Sequence, residues 1–461
     1  MASTKLSPAR RVALAVLDEA HRRDGYVREL LDGSAALKAL EPRDAGLARR
    51  LALGVTATQG CLDELLNQFL VKPKKVAPRV RLALRIATFE LLYLGTVPEV
   101  AVSQGVELAR AAMPAASGLA NAVLHKVAVA AGDYLDAVGV PTDERSVTSA
   151  ARRSGLPAWL AAEIEVSLGH DAAADLFSAE LGPAPLAAHA VAGEAREAVG
   201  LPGLIDPVDV RSEDVRRSFA SSSLVISDTH AQLIATAATR FGSCLEIGAG
   251  RGTKTYIMQA QAHRVGLSCD HVALDLYEGK CRQNAERLER AGIAERVQTV
   301  AGDACDLDSA LAKLDTEAGE RRLFDTVFVD APCSGTGTMR RHPEIPWRLT
   351  REDVDRNLPQ LQLSMLTQAA TRVAPHGELL YATCSVLKQE NDNVIEAFLA
   401  SPQGSAFKLV PLSQADIFQH PAFKQAAALI KTHESAEGLF QTVPAPAKFD
   451  GHFCARLIKS I

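Results

Sequence analysis

The chain has 461 residues, 47% hydrophobic and 23% charged, a balance that excludes intrinsic disorder and predicts two or three globular domains. No uncharged apolar run approaches the roughly 18 residues a membrane span requires, and no signal-peptide core follows the basic start Met1–Arg11, so a soluble, cytoplasmic protein is expected. The net charge of −5 is unevenly spread: residues 1–133 hold 18 Lys/Arg against 13 Asp/Glu, which suggests a basic arm on an acidic body.

Residues 7–130 read as all-helical. Ser7 is a candidate cap with Pro8 in the first turn, and Ala9, Val12, Ala13, Val16, Leu17 and Ala20 then recur at helical spacing. Similar stripes run through Ala45–Val55, Leu62–Leu70, Val80–Leu94 and Val106–Val129, with prolines between them, as expected of a compact bundle. Lys72, Lys74, Lys75, Arg79, Arg81 and Arg85 form a dense basic stretch that suits either phosphate contacts or a solvated loop. Residues 140–225 are broken by Pro157, Pro183, Pro185, Pro202 and Pro207 and read as a small connecting domain.

From about Cys244 the pattern changes to short β-rich runs alternating with helical stretches: Cys244–Ile247, Val272–Leu274, Val297–Val300, Thr326–Val329 and Leu379–Tyr381. That alternation predicts a parallel sheet in a doubly wound α/β domain, with ligands beyond the carboxyl ends of the strands. Three features of such ends suit a nucleotide-bearing cofactor. The first is the loop Glu246-Ile247-Gly248-Ala249-Gly250-Arg251-Gly252-Thr253-Lys254, where glycines allow close approach and a helix N-terminus follows. Its G-x-G-x-G spacing differs from that of dinucleotide binders, and the acid before it, Glu246, suits the ammonium group of S-adenosylmethionine. The second is Asp275, 25 residues past Gly250, a candidate acceptor for ribose hydroxyls or simply a helix cap. The third is Asp303, ending the next strand, a candidate for an adenine amino group.

The eight cysteines never form a Cys-x-x-Cys pair, so no zinc site or disulfide framework is expected and most should be packing residues. Two differ. Cys333, in Asp330-Ala331-Pro332-Cys333-Ser334-Gly335-Thr336-Gly337, and Cys384, in Thr383-Cys384-Ser385, stand 51 residues apart in loops that leave two successive strands. Carbon 5 of cytosine is a poor nucleophile, but a thiolate added at carbon 6 turns the ring into an enamine that can accept a methyl group there. Such chemistry needs a nucleophile, an acid for the pyrimidine edge and a base for release, and Asp330 with the two cysteines supplies candidates for all three. The loop composition around both cysteines speaks against mere packing roles.

On these motifs the chain closely resembles the RsmB/NOL/Sun family of RNA cytosine-5 methyltransferases, in its bacterial small-subunit rRNA branch. Residues 1–130 resemble that branch's NusB-like RNA-binding domain through Ser103-Gln104-Gly105-Val106-Glu107-Leu108-Ala109 and Asn121-Ala122-Val123-Leu124. Asp330–Arg348, with Arg340-Arg341-His342-Pro343-Glu344, Tyr381–Ser385 and the closing Asp450-Gly451-His452-Phe453 carry the rest of the likeness. The resemblance implies that Cys384 is the nucleophile, Cys333 assists release, Asp330 contacts the base, and Asp275 and Asp303 hold the cofactor, while Lys254 matches the lysine after the family's glycine loop. The family's usual Ala-Pro-Gly-Gly-Lys-Thr is replaced here by Gly250-Arg251-Gly252-Thr253-Lys254-Thr255, with length and lysine kept.

The expected architecture is thus multidomain: an all-α NusB-like bundle over 1–135, a connecting domain over 136–228, and a Rossmann-like class I methyltransferase domain over 229–461. The expected activity is S-adenosylmethionine-dependent cytosine-5 methylation of 16S ribosomal RNA, with RNA rather than DNA or membrane as partner and no metal. Rival readings are a tRNA methyltransferase and a non-catalytic RNA-binding assembly factor.

Overall fold

The computed structural model describes residues 6–139, 153–180, 182–191, 200–210 and 212–460. It divides into two compact units, one running to Pro183 and including Met339–Arg348, the other comprising Ala184–Thr338 and Leu349–Ile461.

The first unit is helical: α1 Pro8–Arg23, α2 Val27–Gly33, α3 Ala35–Lys38, α4 Pro42–Ala57, α5 Gln59–Phe69, α6 Pro78–Tyr93, α7 Pro98–Ala112 and α8 Ser117–Gly139. Four of these helices carry a proline in the first turn, where its missing N–H has no intrahelical partner to lose. The stripes converge on one apolar core in which Leu17, Leu51, Leu62, Leu84 and Leu124 are buried. Three details differ from the pattern. Helix α1 begins at Pro8, but the Ser7 hydroxyl makes no capping bond; its backbone N–H instead donates to Gln104 Oε1 at 2.9 Å. The stripe Val106–Val129 is two helices, interrupted at Met113-Pro114 because proline cannot continue the preceding one. The basic stretch is also partly neutralised: Arg81 and Arg85 bond Asp63 at 3.0 and 2.6 Å, whereas Lys72, Lys74, Lys75 and Arg79 are exposed.

The segment Met339–Arg348 is built into this helical unit. Glu344, buried, accepts from the backbone N–H of Val27 at 2.5 Å, Arg28 Nε donates to the carbonyl of Arg341 at 2.8 Å, and the Arg348 guanidinium lies 4.1 Å over the Tyr26 ring. The stretch 136–228 is shared between units: helices Ala158–Leu168 and His170–Ala179 fall in the first, and the small antiparallel sheet of β1 Ala188–Ala190, β2 Leu204–Ile205 and β3 Leu224–Ile226 falls in the second. Parts of that stretch, 140–152 and 192–199, lie outside the described residues, as does the start of the basic run at 1–5.

The second unit is organised by a sheet of β4 Gly242–Ile247, β5 Cys269–Asp275, β6 Val297–Ala301, β7 Phe324–Asp330, β8 Val373–Thr383, β10 Phe440–Gln441 and β11 Phe453–Lys459, in the order β10-β11-β8-β7-β4-β5-β6, with β9 Phe407–Val410 pairing β11. Strands β4 to β8 are parallel and β9, β10 and β11 antiparallel, so the sheet is mixed rather than wholly parallel. Both faces are covered. On β7, Val327 and Val329 enter one core while Phe328 enters the other, and Leu379 and Tyr381 alternate with Leu380 on β8 in the same way. Burial on both sides explains the near-continuous apolar runs of these strands. The order reverses at β4, the first of the parallel strands, with β5 on one side and β7 on the other, so the carboxyl ends of these three strands frame the crevice.

Candidate active site

The glycine loop follows β4. Gly248 adopts φ 80°, and a Cβ there would stand 2.3 Å from the carbonyl oxygen of Asp330, so the glycine loop touches the Asp330 strand end directly. The loop amides are spoken for: Gly248 and Ala249 both donate to the carbonyl of Leu274, and Gly250 donates to Asp275 Oδ2 at 2.9 Å. Asp275 also accepts from the Tyr277 N–H at 3.0 Å, so one carboxylate holds the turn ahead of the Glu278–Ala291 helix and braces the glycine loop together. A side chain at Gly250 would meet only the carbonyl of Gly248, 3.9 Å away, which leaves open space beside Asp275. The sequence reading expected Glu246 on the cofactor side. Its side chain is instead fully buried behind the loop, accepting from Thr255 Oγ1 at 2.5 Å and lying 3.0 Å from His271 Nε2. Arg251 is exposed at the loop tip, and Gly252 begins the Thr253–Arg264 helix. Asp303 is exposed and caps its own turn through Cys305 N–H at 2.8 Å, while Gly302 N–H donates to the Asp275 carbonyl and places Asp303 at the neighbouring strand end.

Lys254, in the first turn of that helix, reaches Asp330 Oδ2 at 2.6 Å. Burial opposes its charge, but Asp330 outweighs burial and raises the ammonium above the usual lysine value. The glycine loop and the Asp330 loop are therefore joined twice, by backbone contact at Gly248 and by this ion pair.

The two cysteines meet. Cys333 Sγ lies 3.3 Å from Cys384 Sγ and accepts from the backbone N–H of Cys384 at 3.3 Å. Cys384 is lowered to about 7, chiefly because the Cys333 thiol donates to it; burial and Asp330 oppose this, while His452 and Lys254 assist. Cys333 is correspondingly raised well above the ordinary thiol value by that same hydrogen bond, with burial adding to it. The contact thus pushes the two thiols in opposite directions, Cys384 toward the thiolate and Cys333 toward the thiol. Both side chains are only half-buried, unlike Cys244, Cys269 and Cys454, which belong to the core.

Sequence reasoning missed what holds the pair. Glu390, fully buried, accepts from Ser334 N–H at 2.7 Å, Ser385 Oγ at 2.7 Å and Gln362 Nε2 at 2.9 Å. One carboxylate thereby pins the residue after each cysteine. Asn391 next to it accepts from Thr383 Oγ1 at 2.7 Å and donates to the Ser385 carbonyl at 2.9 Å. Gly337 completes the packing: its N–H donates to the Cys384 carbonyl and its carbonyl accepts from Gly451, each at 2.9 Å, and a Cβ would collide with the Gly451 oxygen at 2.2 Å. Acids and amides in a turn carry no distinctive spacing, so only the proximity of Glu390 to Thr-Cys-Ser, five residues past Ser385, was available as a signal.

Residues 236–458 match the family described as 16S rRNA methyltransferase RsmB/F, and residues 7–129 match the NusB family. The ribosomal RNA small subunit methyltransferase B of Thermus thermophilus is 29% identical over 450 residues, covering 97% of both chains. The protein of the same description from Pseudomonas putida is 30% identical over 407 residues, 80% of this chain and 84% of that one. The crystal structure of PH0851 shares the fold, with a TM-score of 0.72 at 20% identity over 99% of each chain. No helix among the described residues is long and apolar enough to cross a membrane. The chain belongs to the RsmB/F family of 16S rRNA methyltransferases, with a NusB-family helical unit ahead of the catalytic one and S-adenosylmethionine as methyl donor.

Proposed function

We propose that this protein methylates carbon 5 of a cytosine in 16S ribosomal RNA, in the cytoplasm, through a covalent bond between Cys384 and carbon 6. The observation that carries the reading is the 3.3 Å approach of Cys333 and Cys384 beside the Lys254–Asp330 pair, one thiol lowered and the other raised. A thiolate is the attacking form, and the site favours it at Cys384. Attack at carbon 6 moves electron density into the ring, where Asp330 and Lys254 meet the pyrimidine edge and carbon 5 becomes nucleophilic. S-adenosylmethionine supplies the electrophilic methyl group. The glycine loop, the open side of Gly250 and the Asp275 carboxylate suit its adenosine part, with Asp303 at the adjoining strand end and the exposed side chains of Leu276 and Tyr277 offering an apolar surface. Lys254 serves both loops. Once Cys384 is a thioether, Cys333 gives up its thiol proton to solvent; as a thiolate it then takes the carbon 5 proton, and Cys384 leaves by elimination as a thiolate.

The target base is presented out of its stack, as enzymes acting on a base require. The exposed Lys72, Lys74, Lys75 and Arg79 of the helical unit supply phosphate contacts. Incubation of the protein with labelled S-adenosylmethionine and separately purified 16S rRNA, 23S rRNA, tRNA and cytidine tests the proposal. Label recovered as 5-methylcytidine from 16S rRNA is the expected result. Label confined to tRNA, or to another base or position, overturns it.

A further inference from the structure

Methyl transfer uses the two sulfurs at different steps, yet the fold sets them side by side. The parallel pairing of β7 with β8 is continued by Ala331 N–H, which donates to the Ala382 carbonyl at 2.9 Å. Cys333 and Cys384 each stand two residues beyond that bond. Neighbouring strands lie about 4.8 Å apart, inside the range of about 4.4–6.8 Å between the Cα atoms of disulfide-bonded cysteines. The Cys384 N–H donates to Cys333 Sγ at 3.3 Å and the sulfurs are 3.3 Å apart, so the two side chains turn toward each other. Glu390 holds both loops at the next residue, through Ser334 N–H and Ser385 Oγ, each at 2.7 Å. A sulfur–sulfur bond of about 2.05 Å needs about 1.2 Å of further approach, which rotation about the two Cα–Cβ bonds supplies.

The other cysteines are placed differently. Cys244 and Cys269 are hydrogen-bonded to each other across β4 and β5, but both are buried in the core. Cys281 is buried and its thiol donates to the Val300 carbonyl at 3.3 Å; Cys61 and Cys454 are buried as well, and Cys305 is half-buried on the loop after β6. Among the described cysteines, Cys333 and Cys384 are the two that join adjoining sulfurs to contact with solvent. An accessible thiolate beside a second thiol is the arrangement that hydroperoxides oxidise reversibly. The lowering of Cys384 makes it the sulfur that attacks, and Cys333 the one that resolves.

We propose that Cys333 and Cys384 form a redox-active dithiol, closed to a disulfide by a hydroperoxide and reopened by a small thiol, so that methyl transfer is switched off reversibly. The disulfide is inferred from the sulfur contact; its effect on methyl transfer rests on the reading of Cys384 as nucleophile. In the first step the Cys384 thiolate attacks one peroxide oxygen, the O–O bond breaks, hydroxide leaves and Cys384 becomes a sulfenic acid. The Cys333 sulfur then attacks the Cys384 sulfur and displaces hydroxide, which leaves as water with the Cys333 proton; the first hydroxide takes up the proton that Cys384 had lost. With hydrogen peroxide, the two thiols give up two electrons and the peroxide is reduced to two waters. A small thiol reverses the closure by exchange, itself becoming the disulfide as both cysteines return to thiols. The nucleophile and the group that assists release are withdrawn together, and Cys384 is kept from the irreversible sulfinic stage. In a reducing compartment such a disulfide is transient.

The test is treatment of the full-length wild-type protein with hydrogen peroxide, without RNA or methyl donor, followed by blocking of free thiols, tryptic digestion and mass spectrometry. Cys333 and Cys384 fall in separate tryptic peptides, 323–340 and 373–388, neither of which holds another cysteine. The expected result is a linked pair of these peptides that disappears when dithiothreitol precedes the blocking step. Methyl transfer should be lost as the linked pair forms and return in full on reduction. In Cys333→Ser the Cys384 peptide should instead carry a sulfinic acid that dithiothreitol does not reverse. Wild-type Cys384 recovered unmodified or as sulfinic acid, with no linked pair, overturns the proposal. A linked pair formed while methyl transfer persists overturns the switch, and methyl transfer by Cys384→Ala then places the failure in the nucleophile assignment.

Discussion

Lys254 Nζ and Asp330 Oδ2, 2.6 Å apart, join the helix that begins at the glycine loop to the loop that carries Cys333. The carboxylate proposed to meet the base and the lysine that follows the glycine loop are thus one ion pair, and disturbing either side is felt by both.

Asp275 does two jobs, bracing Gly250 and facing the open side of the loop. Asp275→Ala should weaken S-adenosylmethionine binding by about 1–3 kcal/mol, the range for a buried polar partner left unmatched. Titration calorimetry on the full-length protein measures it. Wild-type affinity in the variant would mean that the carboxylate serves only to hold the Gly250 and Tyr277 amides.

The cysteines should fail differently. Cys384→Ala removes the attacking sulfur and leaves neither methylated RNA nor any protein–RNA adduct. Cys333→Ala permits attack and methyl transfer but impairs release, so a denaturation-resistant, ribonuclease-sensitive complex should accumulate, and only when S-adenosylmethionine is present. Adducts in Cys384→Ala with an inert Cys333→Ala would exchange the two roles.

Methyl transfer at saturating substrates should rise with pH through about 7, where the lowered Cys384 loses its proton, well below the ordinary thiol value of about 8.5. The sign follows from the active form being the deprotonated one. Because the Cys333 hydrogen bond is the main cause of the lowering, the alkylation midpoint of Cys384 should move to higher pH in Cys333→Ala.

Glu390 is a test of pre-organisation rather than chemistry. Glu390→Gln replaces an acceptor by a donor where Ser334 N–H, Ser385 Oγ and Gln362 Nε2 all point inward. The unmatched group should cost about 1–3 kcal/mol of stability. The rate constant should fall at unchanged affinity for S-adenosylmethionine, and denaturant unfolding beside single-turnover kinetics would show both.

On the helical unit, charge reversal at Lys74, Lys75 and Arg79 should weaken RNA binding and flatten its salt dependence without altering cofactor affinity. Arg85→Ala should act through stability instead, since Arg85 is committed to Asp63. Equal salt slopes for wild type and the triple variant would show that the stretch is only solvated surface.

The strands, the glycine loop and both cysteine loops were legible because each leaves a local mark: an apolar run, a glycine that must approach a neighbour, a cysteine among turn residues. The helix break at Met113-Pro114 was marked by its proline but masked by an apolar stripe running on through it. Glu246 was misplaced since an acid ahead of a glycine reads the same whether it faces ligand or core; only the burial of Thr255 and His271 beside it decides. Glu390 gains its meaning from partners far along the chain, Ser334 among them across 56 positions, and no spacing rule encodes such a meeting.

The excursion of Met339–Arg348 into the helical unit means that the chain passes between the two units three times, after Pro183, after Thr338 and after Arg348. A protease cut at the first crossing would leave the halves still threaded together. Exchange of the helical unit for another RNA-binding module could not be made by joining two gene segments end to end. The transplanted catalytic half would bring ten residues shaped for a host it no longer has, with the Glu344 carboxylate stripped of its Val27 partner and the Arg348 guanidinium of its tyrosine. Inheritance of the two units as a pair is thus written into the path of the backbone.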